Sequence, residues 1–487
     1  MTTLLDSHSG RSGLTAASSA PPALEARPHA LSTSGIRSSE AVGLRSWLQV
    51  AAVVALGSTF WQTNFSWAAT SATFWKAAIC LTCLVLGVAV PTRPFLERWR
   101  DRVEPPALAA AFVYFFSVSL LTGPHDADYL RLLSGAALLV GLGLRADASV
   151  DRWRVPLLLA VHVALGVWKI HSDPVPHIDV WVWHKEALEA LARGENPYAI
   201  TMPNIYNDAR YYDPSMVVNG RVLTGFQYPP LSLYFAIPGY LLGDYRYSLL
   251  FATTLSGACM AYARPGRLST AAMALWLFLP GWLQMLVCGY TEAMIVMLVA
   301  LTVLCAVRRS TWLFVPLGLL FASKQYMFVM AAPLVWLLPT STDSSARHAT
   351  RNLLVSATLL AAAVTLPLFV INPKAFYECM VLLQLRQPFR PESLSLVAWW
   401  QAHFGARLPN WLCFASIVPA AGFVLWRCER SAASFATGLA LVSFAFFFLS
   451  KQAFPNYYFY SIGALCCAIA VAEPKAMETR TSNATNG

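Results

Sequence analysis

The residues of this sequence that could do chemistry are charged side chains flanked by long apolar stretches. Asp179 and Glu292 are acids of this kind, and Lys324 lies between two apolar segments. Charged groups at membrane depth are costly to bury, so they normally face a bundle interior or a water-filled cavity. A carboxylate in such a place can act as a general base, and a fixed cation can stabilise negative charge that grows during a reaction.

Each of these residues also has a structural interpretation. Asp179 precedes Val180 at the start of a predicted helix, so its carboxylate could instead cap free backbone N–H groups. Glu292 could form a structural ion pair with Lys324, and Lys324 could extend its ammonium group to the membrane surface. The favoured interpretations are a base for Asp179 and a functional cation for Lys324.

Three further basic residues, Arg386, Arg390 and Lys451, follow apolar segments late in the chain. An arginine can bind a phosphate through two parallel hydrogen bonds, and a lysine can bind it as a point charge. The alternative for Arg386 and Arg390 is ordinary pairing with Glu378 or Glu392. The sequence leaves both interpretations open.

Composition indicates the elements that must position these residues. Of the 487 residues 57% are hydrophobic and only 12% are charged, whereas a soluble domain carries about 25% charged residues. The net charge of +10 comes from small basic clusters between apolar segments, which is the pattern that sets membrane topology and not that of a nucleic-acid surface. The ten cysteines show no metal-site spacing with histidines. The sequence therefore predicts an integral membrane protein without nucleic acid and with no metal or other cofactor indicated.

Apolar segments long enough to be spans recur along the chain, and the basic loops between them fix a topology. The predicted fold is an all-α polytopic membrane protein of about 12 to 14 transmembrane helices, with a large outer loop that carries amphipathic interfacial helices. The predicted spans before the large loop are 47–60, 73–90, 108–121, 130–144 and 155–170. Those after it are 248–263, 270–283, 293–307, 313–322, 327–338, 353–370, 411–426, 435–449 and 457–471. The two short segments around Lys324 are expected as half-helices that meet near the outer face.

This topology divides the chain into five parts. The predicted parts are a disordered cytoplasmic tail 1–44, N-terminal transmembrane helices 45–170, an outer catalytic loop 171–247, a transmembrane core 248–472 and a cytoplasmic tail 473–487. Within the outer loop, residues 180–193 have helical apolar spacing and predict an amphipathic helix on the membrane surface that ends at Gly194 and Pro197. Residues 231–242 are interpreted as an interfacial or re-entrant segment, because counting them as a span would invert every later basic loop.

Several short motifs share the outer side of this topology. They are His177-Ile178-Asp179, Gly194-Glu195-Asn196-Pro197-Tyr198, Tyr228-Pro229-Pro230-Leu231, Gly289-Tyr290-Thr291-Glu292, the run from Gly318 to Lys324-Gln325, and the late stretch from Lys451 to Tyr458. In their order and sidedness the chain resembles the GT-C superfamily of integral-membrane glycosyltransferases, most of all the polyprenol-phosphate-mannose-dependent mannosyltransferases. The resemblance covers residues 155–470. The chain departs from the family where His177 takes the place of a second acid, where Gly289-Tyr290 replaces Gly-Gln, and in four extra spans before the loop.

The resemblance implies an inverting hexosyltransferase that moves a sugar, with mannose favoured, from a polyprenyl-phosphate donor to a glycan or glycolipid acceptor. It places the active site on the non-cytoplasmic face of a plasma membrane, with the lipid bilayer as a further partner. Asp179 would be the general base. The implied substrate-binding residues are His177, Tyr198, Tyr228, Glu292, Lys324, Gln325, Arg386, Arg390, Lys451 and Asn456.

Two other classes of function stay open at this point. A secondary transporter or lipid-linked-sugar flippase would show paired repeats and polar sites near the bilayer midplane, whereas this chain has no evident repeat and its charges gather at one surface. An accessory subunit without activity is the third interpretation. The outer tyrosines and tryptophans fit a sugar site, but they also fit the aromatic belt of a membrane protein.

Overall fold

The structure of the protein, a computed structural model, describes residues 48–55, 57, 71–89, 110–111, 113–118, 126–144, 148–208, 211–340 and 346–472. Within these ranges the chain is helical apart from loops and three strands of two residues each, which confirms the predicted all-α class. The predicted tails, the basic loop 93–102, Arg145 and Arg210 lie outside the described residues.

The N-terminal part is made of long apolar helices. Helices α1 (Ser71–Ala89), α2 (Ala127–Leu144) and α3 (Ala148–Ser172) correspond to the predicted second, fourth and fifth spans. Residues 48–55, 110–111 and 113–118 are helical within the predicted first and third spans. About 20 apolar residues at 1.5 Å per residue match the hydrocarbon core of a bilayer, so α1 is long enough to cross it.

The predicted outer segment contains two helices and a small sheet. Helix α4 (Asp179–Ala192) is followed by strands β1 (Met202–Pro203), β2 (Val217–Val218) and β3 (Arg221–Val222), then by helix α5 (Pro230–Leu241). The strands are antiparallel in the order β1-β3-β2. A short 3₁₀ turn, Pro214–Met216, precedes β2.

The rest of the described chain is a helical bundle. Its first helices are α6 (Arg246–Ala263), α7 (Arg267–Leu277), α8 (Trp282–Val287), α9 (Glu292–Val307), α10 (Phe314–Phe321) and α11 (Met327–Ala331). Its later helices are α12 (Ala346–Ile371), α13 (Pro373–Tyr377), α14 (Leu383–Arg386), α15 (Leu396–Phe404), α16 (Leu412–Arg427), α17 (Ala432–Phe448) and α18 (Pro455–Ala470). A turn of 3₁₀ helix, Thr311–Leu313, leads into α10, a second, Ala332–Leu337, extends α11, and a π-helical turn, Glu378–Leu382, joins α13 to α14.

Helices α9 and α18 lie at the centre of the bundle. Helix α9 packs against α6 and α18, and α18 packs against α17 and α7. Both helices are apolar on nearly every side and almost completely buried, which is the pattern of a helix surrounded by other helices. By contrast, only 11% of an apolar 18-residue stretch of α12 is buried inside the protein. The central position of α9 and α18 brings their first residues, Glu292 and Asn456, into the interior.

Glu292 and the arginines Arg308 and Arg430 lie at opposite ends of the bundle. Glu292 begins α9 and Arg308 follows its last residue, so about 24 Å of helix separates them at 1.5 Å per residue. At the end that holds Arg308, its guanidinium donates to the Tyr262 carbonyl oxygen. Arg430 at that end donates to the Leu338 carbonyl oxygen.

Three details differ from the predictions. The segment expected as one span over 270–283 is broken, because Pro280 and Gly281 separate α7 from α8 and the backbone at Gly281 is left-handed (φ +82°). Among the described residues, three helices are long and apolar enough to cross a membrane, Ser71–Ala89, Trp153–Ser172 and Ala346–Ile371, and the other apolar helices found there are shorter. The count of 12 to 14 spans therefore stays a prediction.

The third difference concerns α4. Its apolar face, which includes Trp183 and Ala187, is fully buried against other parts of the protein, among them α5 and β1. This face was expected to lie on the membrane surface. The helix begins and ends where the sequence predicts, but it packs inward because α5 and the sheet offer it an apolar partner.

Candidate functional site

The first part of the site is a buried ion pair between residues of two different motifs. Lys324 lies in the turn between α10 and α11, and its Nζ is 3.3 Å from Oε1 of Glu292. Both residues are almost fully buried, with 6% and 1% of their surface exposed. Asn456 at the start of α18 donates from Nδ2 to the same Oε1 over 3.2 Å. Pairing and hydrogen bonding of this kind are what allow two charges to be buried.

The second oxygen of Glu292 is different. Its Oε2 is buried and has no hydrogen-bond partner among the described residues. An unpaired buried acceptor is unfavourable, so this atom is suited to accept a hydrogen bond from a bound hydroxyl group.

Glycine shapes the turn that presents Glu292. Gly289 has a left-handed backbone (φ +68°), and a Cβ placed on it would lie 1.8 Å from the Tyr245 hydroxyl oxygen. That hydroxyl donates to the Gly289 carbonyl oxygen over 3.2 Å. Only glycine fits here, which gives the Gly289-Tyr290-Thr291-Glu292 motif a physical reason.

Tyr228 connects the ion pair to the outer segment. The ammonium of Lys324 lies 4.3 Å from the centroid of its ring, a cation–π contact. The hydroxyl of Tyr198 donates to the Tyr228 carbonyl oxygen over 2.7 Å, and Gln325 Nε2 donates to the carbonyl oxygen of Gln227 over 2.8 Å. The structure thus brings together Tyr198, Tyr228, Lys324 and Gln325, four of the residues that the sequence singles out.

A close approach of the backbone fixes the chain before Tyr228. A Cβ on Gly225 would lie 2.5 Å from the Pro197 carbonyl oxygen and 2.6 Å from that of Tyr198. The turn after α4 and the segment that ends the outer loop therefore touch along their backbones. This contact is what holds Tyr198 beside Tyr228.

Asp179 lies in the first turn of α4 and is half-buried. Its Oδ2 accepts a hydrogen bond from the Tyr212 hydroxyl (3.0 Å), and its Oδ1 accepts from the Tyr206 hydroxyl (3.3 Å) and from the Val180 backbone N–H (2.8 Å). The capping position of the helix belongs to Ile178. Asp179 is therefore not the N-cap residue itself, but it binds one free backbone N–H group of the first turn, as the alternative interpretation expects, and it also accepts from two phenols.

Burial raises the pKa of the Asp179 carboxyl above its ordinary value. The hydrogen bonds from Tyr212, Val180 and Tyr206, and the charge of Arg390, oppose this effect without cancelling it. A raised pKa makes a carboxylate a better proton acceptor near neutral pH. The environment of Asp179 thus suits a general base.

The two acids act on a common set of tyrosines. Burial raises the pKa of the Tyr228 and Tyr290 phenols, and the charges of both Asp179 and Glu292 raise it further. Because electrostatic influence falls with distance, the two carboxylates flank one shared region. His177 lies at its edge, exposed, with its ring against that of Tyr206 at 5.9 Å between centroids.

The predicted cations Lys324, Arg386, Arg390 and Lys451 have different partners in the structure. Arg390 is ion-paired to Glu392 over 2.5 Å, as the alternative interpretation expects, and its guanidinium lies 4.2 Å from the centroid of Tyr211. Its charge still reaches Asp179. Arg390 therefore remains part of the site.

Arg386 and Lys451 have other partners. Arg386 is exposed, and hydrogen bonds from Ser215 followed by the charge of Arg386 lower the pKa of Asp213. Lys451 donates from Nζ to the carbonyl oxygens of Leu385 (3.1 Å) and Gln387 (2.8 Å). Their role in binding substrate stays a prediction.

Some residues of the site escape prediction from the sequence. Tyr206 and Tyr212 hold Asp179, but in the sequence they are two of many outer aromatics. His184 is another, since it is fully buried between the rings of Tyr228 and Tyr245, at 5.2 and 4.9 Å. The helical spacing of 180–193 carried a signal only for its apolar neighbours.

In the described part of the chain, no group of three or more His, Cys, Asp and Glu side chains could hold a metal ion. Burial lowers the pKa of His184 to about 4, and Nδ1 faces the Val180 carbonyl oxygen over 2.8 Å. The imidazole is therefore neutral at physiological pH.

The helices and their apolar surfaces define an all-α polytopic membrane protein. No protein-family model matches the chain, and no curated protein matches it. A similar solved structure is the crystal structure of ArnT from Cupriavidus metallidurans bound to undecaprenyl phosphate, with a TM-score of 0.41 and 18% sequence identity. The match covers 64% of this chain and 59% of that one, so this chain spans about three fifths of the length of the other.

Proposed function

We propose that this protein is a membrane glycosyltransferase of the GT-C type that uses a lipid-phosphate-linked sugar. The observation that carries the proposal is the convergence of the resembling motifs around one region, where a carboxylate of raised pKa, Asp179, and the buried pair of Lys324 and Glu292 act on the same tyrosines. A proton acceptor next to a fixed cation is what transfer of a sugar from a phosphate needs.

In the proposed reaction, an acceptor hydroxyl oxygen attacks the anomeric carbon from the face opposite the phosphate. The bond between that carbon and the phosphate oxygen breaks, and its electron pair leaves with the lipid phosphate. Asp179 takes the proton of the attacking hydroxyl. One displacement of this kind inverts the anomeric configuration.

The donor end of the site is assigned to the remaining residues. Lys324 retains hydrogen-bonding capacity beyond Glu292, because an ammonium group has three donors, and Arg390 adds a guanidinium whose charge reaches Asp179. These two cations would stabilise the departing phosphate. The unpartnered Oε2 of Glu292 would accept a hydrogen bond from a sugar hydroxyl, with Asn456 fixing the carboxylate.

The finer parts of the proposal rest on the sequence resemblance. They are a hexose, with mannose favoured, a polyprenyl donor, a glycan or glycolipid acceptor, and an active site at the non-cytoplasmic face of a plasma membrane. In this scheme residues 171–247 are the catalytic loop and 248–472 the transmembrane core.

The test is transfer of radiolabelled mannose from polyprenyl-phosphate-mannose by membranes that contain the wild type, Asp179→Asn or Lys324→Ala at matched protein levels. We expect transfer by the wild type and its loss by a factor of about 10² to 10⁴ in Asp179→Asn, the usual contribution of a general base. Arg193→Gln is the matched control, since Arg193 pairs with Glu195 at the exposed end of α4.

Each outcome has a distinct meaning. Transfer that survives Asp179→Asn would retain the enzyme and move the base elsewhere, with Glu292 next. If no mannose is transferred from that donor, a panel of other lipid-linked sugars is tested next. Absence of transfer from all of them would overturn the proposal and favour transport.

A further inference from the structure

A cavity opens at the end of α14, and Gln387 in its lining contacts Gln227 near the proposed active site. It has a volume of about 510 Å³ and lies between the segment after α14 and the loop that joins α15 to α16. Cavities of roughly 300 to 1,000 Å³ are typical of sites for small ligands. Its lining includes Arg407, Lys451 and Asn410 together with Phe389, Leu385 and Pro409.

The charge of this cavity is one-sided. Arg407 and Lys451 both line it, and no acidic residue of the described chain does. A partly enclosed space that is lined by two cations and by no carboxylate attracts negative charge. The balance of charge therefore favours an anionic ligand.

Both cations have hydrogen-bond donors to offer. Lys451 uses two of its three N–H groups on the carbonyl oxygens of Leu385 and Gln387, which leaves one and fixes the ammonium in place. Arg407 lies with its guanidinium 4.9 Å from the centroid of Phe389. Stacked in this way, a guanidinium keeps its planar edge available for two hydrogen bonds to a phosphate or carboxylate.

Apart from Gln387, the remaining lining is apolar, which adds a second requirement for the ligand. Phe389, Leu385 and Pro409 give the cavity hydrocarbon walls. A small inorganic ion would leave these walls in water, whereas an amphipathic molecule would cover them. The cavity thus fits an anionic group attached to an apolar or partly apolar body.

Gln387 links this cavity to the proposed active site. Its backbone carbonyl accepts from Lys451, and its side-chain Nε2 lies 3.5 Å from Oε1 of Gln227. Gln227 in turn accepts from Gln325 next to Lys324 and directly precedes Tyr228 in the chain. One residue is therefore the common wall between the two spaces.

We propose that the cavity lined by Arg407, Lys451 and Asn410 binds the phosphate or carboxylate group of an amphipathic molecule. Resting on the proposed function, we identify that molecule as the acceptor, which is therefore an anionic glycolipid or lipid-linked glycan. The donor phosphate is served by Lys324 and Arg390 on the other side of Gln387. The two negatively charged groups thus occupy separate sites.

The test measures binding of dodecyl phosphate to the purified protein in the neutral detergent dodecyl maltoside. We expect saturable binding with one class of site that weakens about tenfold or more in Arg407→Gln and in Lys451→Met, because each loses a charge-assisted hydrogen bond. Arg407 is exposed, so its replacement leaves the fold intact even if Lys451→Met does not. Arg193→Gln should bind as the wild type does.

Further measurements decide where the anion binds and whether it needs an apolar body. Because the donor site would also bind a lipid phosphate, two classes of dodecyl phosphate site are expected, and Arg390→Gln should weaken only the class that does not depend on Arg407. Loss of the Arg407-dependent class in Arg390→Gln would overturn the proposal by placing the anion at the donor site. Equal binding of inorganic phosphate and dodecyl phosphate would refute the amphipathic ligand. No binding, or no effect of Arg407→Gln, would refute the cavity as an anion site.

The acceptor assignment has its own measurement. With a transfer assay in hand, Arg407→Gln should raise KM for an anionic acceptor about tenfold and leave KM for the lipid-linked donor unaffected. Dodecyl phosphate binding that depends on Arg407, without a change in acceptor KM, would assign the cavity to a bilayer lipid and overturn the acceptor. Failure of all transfer would contradict the proposed function while the binding measurement still decides the cavity.

Discussion

The ion pair between Lys324 and Glu292 allows a test that separates stability from function. The substitution Lys324→Met removes the ammonium and keeps most of the side-chain volume. It leaves the Glu292 carboxylate, 1% exposed, with Asn456 on Oε1 and no partner on Oε2 among the described residues. A buried charge in that state is strongly unfavourable.

The size of the effect follows from that geometry. Removing one partner of a buried pair costs about 3–5 kcal/mol, whereas replacing both charges with apolar or neutral groups is often close to neutral. Glu292→Gln keeps an oxygen that can accept from Asn456. We therefore expect the double variant Lys324→Met with Glu292→Gln to recover about 2–3 kcal/mol relative to the sum of the single variants.

The assay is a double-mutant cycle on the purified protein in detergent, with unfolding followed by tryptophan fluorescence. The control cycle uses Lys185 and Glu189, an exposed pair on α4 at 3.8 Å, where the coupling should not exceed about 0.5 kcal/mol. Sugar transfer is measured on the same samples. The double variant should regain stability but not activity, because both charges are assigned to the substrate.

Two results would refute this reasoning. A coupling as small as that of the exposed control would mean that the buried pair does not stabilise the fold as its geometry requires. Activity restored in the double variant would mean that Lys324 and Glu292 serve the structure alone, and the donor site would have to be placed elsewhere.

Three other predictions follow from the structure. Tyr212→Phe removes a hydrogen bond that favours the charged form of Asp179, so the pKa of Asp179 should rise further. The acidic limb of the pH profile of kcat/KM should then move to higher pH. An unchanged limb would exclude Asp179 as the titrating base. Arg246→Ala should lower the free energy of unfolding by about 3–5 kcal/mol, because this fully buried guanidinium donates to several backbone carbonyl oxygens and pairs with the Asp244 carboxylate. Denaturation in detergent measures this loss of stability. A loss under about 1 kcal/mol would contradict the prediction. Gly289→Ala should reduce the yield of folded protein far more than Gly220→Ala does. Both glycines have positive φ, but of the two only Gly220 has open space where a Cβ would lie. Equal yields would show that the close approach at Gly289 is tolerated.

The central helices could be predicted from the sequence because apolar length and basic loops are local signals. The start of α9 near Glu292 and its end before Arg308 follow from the apolar run and the arginines after it. The convergence of Asp179, Glu292 and Lys324 was accessible as well, since their helix ends share one side of the predicted topology.

The partners of the cations were not accessible. Arg390 finds Glu392 two residues away, but Lys451 finds carbonyl oxygens more than 60 residues earlier in the chain. Such contacts depend on how the segment after α14 folds, and that segment has no periodicity to predict it. The same holds for Tyr212, which lies 33 positions after Asp179 in the sequence and contacts it only in the folded chain. The burial of α4 was missed because its apolar face fits a membrane surface and a protein partner equally well.

The structure also distinguishes the two acids as candidates for the base. Glu292 is paired with the cation Lys324, and Asn456 donates to the same oxygen. Asp179 is held by the neutral donors Tyr206, Tyr212 and the Val180 N–H, and burial raises its pKa. Protonation of Asp179 thus gives up hydrogen bonds to neutral groups and relieves the desolvation of its charge. A carboxylate must gain and release a proton in each turnover, and this asymmetry favours Asp179 as the base and Glu292 as the fixed acceptor for a sugar hydroxyl.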